Sequence, residues 1–110
     1  MREPTFLVLT ALAGEPRHGY AVIEDVAAMT GGRVRLRAGT LYAALDRLRT
    51  DGLIEVDREE VVQSRLRRYY QLTASGERGL AAETARLRTQ ATIAEERLRA
   101  RGITFGGATA

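Results

Sequence analysis

The apolar positions of residues 37–52 follow the period of an α-helix and stop at a glycine. Leu41, Leu45 and Leu48 recur at i, i+4 and i+7, so they share one face of a helix. Gly52 lies just beyond them, where helices commonly end in a left-handed residue, and a strand-like run begins at Leu53. A short amphipathic helix with small residues at its start and arginines at its end is typical of the reading helix of a DNA-binding domain.

Two further helices are predicted before this one. Pro4 suits the first turn of a helix that ends at Gly14, and residues 15–17 form a connector. The second helix runs from about residue 18 to 30, and the alternating residues 34–37 then predict a short extended segment or strand. The predicted core-facing positions are Phe6, Leu9 and either Leu12 or Ala13 in the first helix, and Tyr20, Ile23, either Val26 or Ala27, and Met29 in the second.

After the reading helix, the pattern changes to that of two β-strands. Residues 53–61 and 66–72 are strand-like runs, and a polar tip at residues 62–65 joins them into a hairpin. The order of helix, helix, reading helix and hairpin predicts a winged helix-turn-helix. The fold class is therefore mainly α with a small β-hairpin, the wing.

A long helix is predicted for residues 74–101, with Thr73 as its N-cap. Its apolar positions step by roughly four and three residues, which is the seam of a coiled coil. We predict a homodimer through this helix, although the helix could instead pack back on its own domain. The predicted organisation is a DNA-binding domain at 1–73, a dimerisation helix at 74–101 and a flexible tail at 102–110. The dimerisation residues are Leu80, Leu87, Ala91, Ala94 and Leu98.

Composition excludes several classes of site. The chain of 110 residues has no cysteine, so disulfides and thiolate metal sites are excluded. His18 is the only histidine, which argues against a metal site and favours a role in capping the second helix. We find no catalytic motif and expect neither an enzyme nor a bound cofactor. The longest apolar run is too short to cross a bilayer, so a cytoplasmic protein without a membrane partner is expected.

The charges are distributed in blocks. All 17 basic residues are arginines; five lie within residues 33–49 and three within residues 65–68, with an acidic stretch at residues 55–60 between these two blocks. Two basic blocks indicate a positive surface for a polyanion, although exposed arginines could equally be solvated without a partner.

Three groups of residues resemble the PadR family of bacterial transcriptional regulators, in its short-tailed subgroup. They are His18-Gly19-Tyr20, Gly39-Thr40-Leu41-Tyr42 with the residues up to Ile54, and Arg68-Tyr69-Tyr70-Gln71-Leu72-Thr73 with Gly76. The chain departs from the family pattern at Ala38 and Ala43, where prolines are usual, and at Gln63-Ser64, where the wing tip usually has a glycine. The resemblance implies a dimeric repressor of an inverted-repeat operator, with release by a small aromatic or drug-like effector left open.

The predicted DNA contacts follow from these positions. Thr40 and Tyr42 lie in the first turn of the reading helix, where their hydroxyls can bond phosphate, although Tyr42 could instead be packed inside. Arg47 can bond a guanine edge and Ala43 can touch a thymine methyl, although Arg47 could pair with Asp51. The basic residues expected to hold phosphate or enter the minor groove are Arg65, Arg67 and Arg68, with Arg35 and Arg37 as weaker candidates. The alternative is a winged-helix module for protein–protein interaction, whose arginines only solubilise it.

Overall fold

The computed structural model describes residues 1–105 and has the winged helix-turn-helix and the long C-terminal helix that the sequence predicts. The chain divides into two compact units, Met1–Leu80 and the part from Ala81 onward. The elements are α1 (Glu3–Gly14), β1 (Arg17–His18), α2 (Gly19–Met29), α3 (Ala38–Thr50), β2 (Ile54–Val62), β3 (Arg65–Leu72) and α4 (Ala74–Ala100).

Helix α1 lies at the centre of the core of the first unit. It contacts both α2 and β3, so apolar residues on more than one of its faces are covered. Leu9 and Leu12 are buried as predicted, whereas Phe6 is half-buried and Ala13 is exposed. The stripe predicted from the sequence is thus too narrow, since burial extends to Leu7, Val8 and Ala11.

Helix α2 corrects two of the core predictions. Its buried residues are Gly19, Val22 and Val26, spaced three and four apart on one face. Tyr20 follows Gly19 by one residue, about 100° around the helix, and its side chain is 64% exposed. Met29, the last residue of the helix, is 39% exposed. Neither side chain belongs to the core.

Helix α3 buries the three leucines of its sequence pattern. Leu41, Leu45 and Leu48 are at most 2% exposed. Gly52 ends the helix with φ +75°, and the Leu53 amide donates to the Leu48 carbonyl at 3.0 Å. Residues 34–37, which precede α3, form no strand.

The three strands form one antiparallel sheet in the order β1-β3-β2. Arg17 belongs to the predicted connector and His18 to the predicted start of the second helix, but both lie in strand β1, where Arg17 pairs with Tyr70 and His18 with Tyr69. A bulge at Asp57 interrupts the β2–β3 register, and β2 forms the outer edge of the sheet.

The hairpin tip is a two-residue turn in which both residues have positive φ. Gln63 has φ +51° and Ser64 has φ +63°. Two-residue hairpin turns of this form fit the twist of the strands, but left-handed backbone disfavours side chains other than those of Gly, Asn and Asp. The tip therefore closes the hairpin as a tight two-residue turn although neither of its residues is a glycine.

We expect the double substitution Gln63→Asn and Ser64→Gly to raise the free energy of unfolding by about 1 kcal/mol, because Asn-Gly is the preferred pair for this turn. Urea denaturation followed by circular dichroism measures the change. The same two substitutions in reversed order, Gly at 63 and Asn at 64, are the control for composition. An unchanged or lower midpoint for the Asn-Gly variant would contradict the turn assignment.

Helix α4 begins at a well-formed cap. The Thr73 hydroxyl accepts from the Gly76 amide at 3.0 Å, which confirms the predicted N-cap, and donates to the Gly52 carbonyl at 2.6 Å. The Thr73 amide donates to the Leu53 carbonyl at 3.1 Å. Leu80 is half-buried against the core of the first unit.

The second unit carries the remaining seam positions. Leu87, Ala91, Ala94 and Leu98 are exposed, and Leu87 and Leu98 are each 38% exposed. Gly102, with φ +89°, ends the helix, and the Ile103 amide donates to the Leu98 carbonyl at 3.0 Å. The predicted tail is thus described as far as Phe105, whose ring centroid lies 5.4 Å from the Arg99 guanidinium. Residues 106–110 lie outside the described residues.

Candidate nucleic-acid interface

The outward face of α3 carries the residues predicted to read DNA. Because the three leucines face the core, Thr40, Tyr42, Ala43 and Arg47 are all exposed. At 100° per residue, Ala43 lies opposite the leucine stripe, Tyr42 lies on one flank and Thr40 and Arg47 lie on the other. The face therefore has two sides with different neighbours.

One flank borders a groove between α3 and the wing. This groove has a volume of about 740 Å³ and also includes the start of α2. Tyr42 enters it from α3, and its ring lies so close to Gly19 that a Cβ there would be 2.5 Å from the Tyr42 hydroxyl. Gly19 thus leaves room for Tyr42, which is 48% exposed and not packed inside. From the wing, Arg65, Arg67 and Arg68 line the same groove.

The other flank borders a smaller depression of about 370 Å³ between the start of α1 and α3. Thr40, Ala43 and Arg47 line it together with Arg2, a residue that the sequence did not single out. Arg2 is 45 positions before Arg47, so no local pattern connects them. Next to Arg2, Glu3 receives two hydrogen bonds from Arg33, at 2.5 and 3.2 Å, and this guanidinium lowers the pKa of Glu3.

Ion pairing separates the predicted arginines into two groups. Within residues 1–105, Arg47, Arg65 and Arg67 have no carboxylate oxygen within 4 Å, so the pair with Asp51 does not form. Arg68 instead donates to Glu59 at 2.8 Å, and this hydrogen bond raises the pKa of Arg68. A phosphate contact by Arg68 would have to compete with Glu59.

Arg35 and Arg37 stand apart from both depressions. They are exposed in the segment before α3 and line neither the wing-side groove nor the depression beside Arg2. The Arg35 guanidinium folds over Gly32, where an added Cβ would be 2.9 Å from it. Arg37 is the N-cap residue of α3, three positions before Thr40, but neither guanidinium lines a depression with the other predicted contacts.

His18 caps α2 as predicted. Its Nδ1 accepts from the Ala21 amide at 3.3 Å, and its ring meets that of Tyr69 edge-on at 5.3 Å. Burial, and then the charge of Arg67, lowers the pKa of His18, which favours the neutral imidazole whose Nδ1 lone pair accepts the cap hydrogen bond.

The acidic stretch of β2 is largely neutralised within the wing. Arg58 donates to Asp57 at 2.8 Å and to Glu60 at 2.7 Å, and it lies 3.8 Å above the Tyr69 ring. The Arg58 guanidinium lowers the pKa of Glu60. These carboxylates therefore oppose a polyanion less strongly than the sequence suggests, and Arg58 is already engaged.

A family model for the PadR-like transcriptional regulators matches residues 8–82 of the chain. The match runs from α1 into the beginning of α4, and it includes α3 and the whole hairpin. The chain belongs to the PadR-like family of transcriptional regulators. All the predicted DNA contacts fall inside the matched range, whereas Arg2 and most of the α4 seam lie outside it.

Solved structures of PadR-like proteins have the same fold. A PadR family regulator from Eggerthella lenta is 30% identical, with 86% of this chain and 80% of that chain covered and a TM-score of 0.71. A PadR family regulator from Clostridium difficile is 23% identical, with 86% and 96% covered and a TM-score of 0.71. Bacillus subtilis PadR in complex with operator DNA is 21% identical, with 76% and 47% covered and a TM-score of 0.68.

A curated relative gives a weaker match. An uncharacterised protein from Lysinibacillus sphaericus is 27% identical over 70 residues, which is 64% of this chain and 64% of that protein. Within residues 1–105, no helix is long and apolar enough to cross a membrane, and no three acidic or histidine side chains are grouped as metal ligands.

Proposed function

We propose that this PadR-like chain is a repressor that binds an inverted-repeat operator as a homodimer. The observation that carries the proposal is the arrangement of Arg47, Arg65 and Arg67 around the outward face of α3. None of the three has a carboxylate oxygen within 4 Å among residues 1–105, and they border that face from both flanks. Unpaired guanidinium groups on either side of a reading helix fit a polyanion with a groove.

In this proposal, α3 enters the major groove and the wing holds the backbone beside it. Arg47 bonds a guanine edge and Ala43 contacts a thymine methyl, whereas the hydroxyls of Thr40 and Tyr42 bond phosphates. Arg65 and Arg67 take phosphate or enter the minor groove, and Arg68 joins them if it releases Glu59. Bacillus subtilis PadR, which shares this fold, is solved in complex with operator DNA, and this supports DNA binding as the proposed function.

The dimer is proposed to form through the seam of α4. Leu87, Ala91, Ala94 and Leu98 are exposed at coiled-coil spacing, and burial by a second copy would remove this apolar surface from water. Leu80 contributes less, because it already packs on its own core. Two-fold symmetry would place α3 of each copy in successive major grooves, ~34 Å apart, which requires an inverted-repeat site.

Arg47→Ala and Arg67→Ala are expected to affect binding in different ways. Loss of a guanine contact should relax sequence preference at one position by about tenfold, whereas loss of a phosphate contact should weaken all sequences alike and reduce the salt slope by about one unit. Fluorescence anisotropy with the region upstream of the gene, at several salt concentrations, measures both effects.

Arg88→Ala is the matched control, since it removes the same charge from the exposed surface of α4. If Arg47→Ala and Arg67→Ala both bind like Arg88→Ala, the proposed surface is wrong. A parent protein that binds no duplex in a salt-dependent way would favour the protein–protein interaction module instead.

Release by a small aromatic or drug-like effector is the part of the proposal that rests on family resemblance. Its test is to titrate phenolic acids and planar cationic drugs into the protein–operator complex. Dissociation at a concentration that leaves a non-specific duplex complex intact would support an effector, and an unchanged complex with every compound would count against one.

A further inference from the structure

The outward face of α3 also carries a carboxylate, that of Asp46. It lies one turn after Tyr42 and one turn before Thr50, and it is exposed. Asp46 lines the wing-side groove and also a shallow depression that it shares with Arg49 and Thr50. Although arginines precede and follow it on the helix and line the same groove, no guanidinium within residues 1–105 comes within 4 Å of it.

The fold gives no reason for an aspartate at this position. Thr50 donates to the backbone carbonyl of Asp46 at 3.0 Å, not to its carboxylate, and the carboxylate makes no hydrogen bond to any described residue. Aspartate is a poor helix former, and in the C-terminal half of α3 its charge opposes the helix dipole. Alanine or lysine would suit the isolated helix better, so the side chain is more readily explained by what it meets outside the protein.

A carboxylate on a surface that approaches phosphates is repelled unless it meets hydrogen-bond donors. An ionised carboxylate only accepts hydrogen bonds, and the donors in the major groove are the amino groups of cytosine N4 and adenine N6. Adenine presents the N7 acceptor beside its amino group, so the lone pair of N7 would face the carboxylate and repel it. Cytosine presents its amino group without that neighbour and is the better match.

We propose that Asp46 selects a cytosine at one position of each half-site by accepting a hydrogen bond from its N4 amino group. This proposal rests on the proposed function, because it needs α3 to lie in the major groove. It assigns Asp46 a negative role as well, since the carboxylate repels the backbone on sequences where no amino group faces it. Asp46 would thus lower non-specific affinity while it favours one base.

The test is selection of bound duplexes from a random pool by the full chain and by Asp46→Ala and Asp46→Asn variants. Asp46→Ala should lose about tenfold preference for cytosine at one position, keep its other preferences and bind non-specific duplex more tightly. Asp46→Asn should shift that position towards adenine, because an asparagine amide can bond both N6 and N7.

Asp51→Asn is the matched control, as it removes the same charge at the C-terminal end of the same helix, outside the wing-side groove. It should select the same sites as the parent. The proposal is overturned if Asp46→Ala selects unchanged sites, or if Asp51→Asn relaxes the same position. If the parent selects no sequence at all, the proposed function and this inference both fail. If the parent and all variants select the same sites, only this inference fails.

Discussion

Gly76→Ala is expected to lower the free energy of unfolding by about 3 kcal/mol, as severe overpacking does. Gly76 is buried, and a Cβ there would overlap the Leu53 carbonyl oxygen. That oxygen belongs to the backbone and accepts from the Thr73 amide, so it cannot rotate aside as a flexible side chain would. Chemical denaturation followed by circular dichroism measures the loss.

Gly79→Ala is the matched comparison for this prediction. The nearest atom to its added Cβ, Leu53 Cδ2, is 4.0 Å away, an ordinary contact. Since alanine is a better helix former than glycine, Gly79→Ala should raise the free energy of unfolding by up to ~1 kcal/mol. Similar midpoints for the two variants would show that the close approach of α4 to Leu53 is not as described.

The second large effect is expected at the α4 seam. Leu87→Glu should dissociate the proposed dimer, because each copy would then bring a charge into the apolar contact. A monomer has one reading helix and loses the affinity that a dimer gains by binding both half-sites at once. Its affinity for an inverted repeat should therefore fall by about 100-fold or more. Sedimentation velocity measures the association, and anisotropy with the selected operator measures the binding.

Thr89→Glu provides the same substitution on the same helix. Thr89 is exposed and lies about 200° around the helix from Leu87, away from the seam. The Thr89→Glu variant should remain dimeric and bind the operator as tightly as the parent does. The seam assignment would be contradicted by a Leu87→Glu variant that is dimeric and binds the operator as tightly as the Thr89→Glu variant does.

The features that could be predicted from the sequence are those with a long period or strong local chemistry. Leu41, Leu45 and Leu48 fix the inward face of α3, and Gly52 and Thr73 mark a helix end and a helix start. These signals depend on neighbours within about one turn, so they are visible without the fold. For the same reason, the exposed residues of α3 were identified correctly.

The remaining features depend on contacts between distant segments. Strand β1 has two residues, too few to show alternation. The pairing of Arg68 with Glu59 depends on the register of β2 against β3, which the two-residue turn at the tip sets. Arg2 and Arg47 line the same depression only because the start of α1 packs beside α3. None of these has a sequence signal of its own.

The outer edge of the sheet has a consequence for proteins crowded along a duplex. Strand β2 leaves one row of backbone groups open, and such edges invite strands of neighbouring molecules to add on. The bulge at Asp57 disturbs the spacing of this row, and Glu55, Asp57 and Glu59 lie exposed on the strand, although Asp57 and Glu59 are paired with Arg58 and Arg68. In the proposed function, the bulge thus works against strand pairing between the wings of copies that bind neighbouring sites on a duplex.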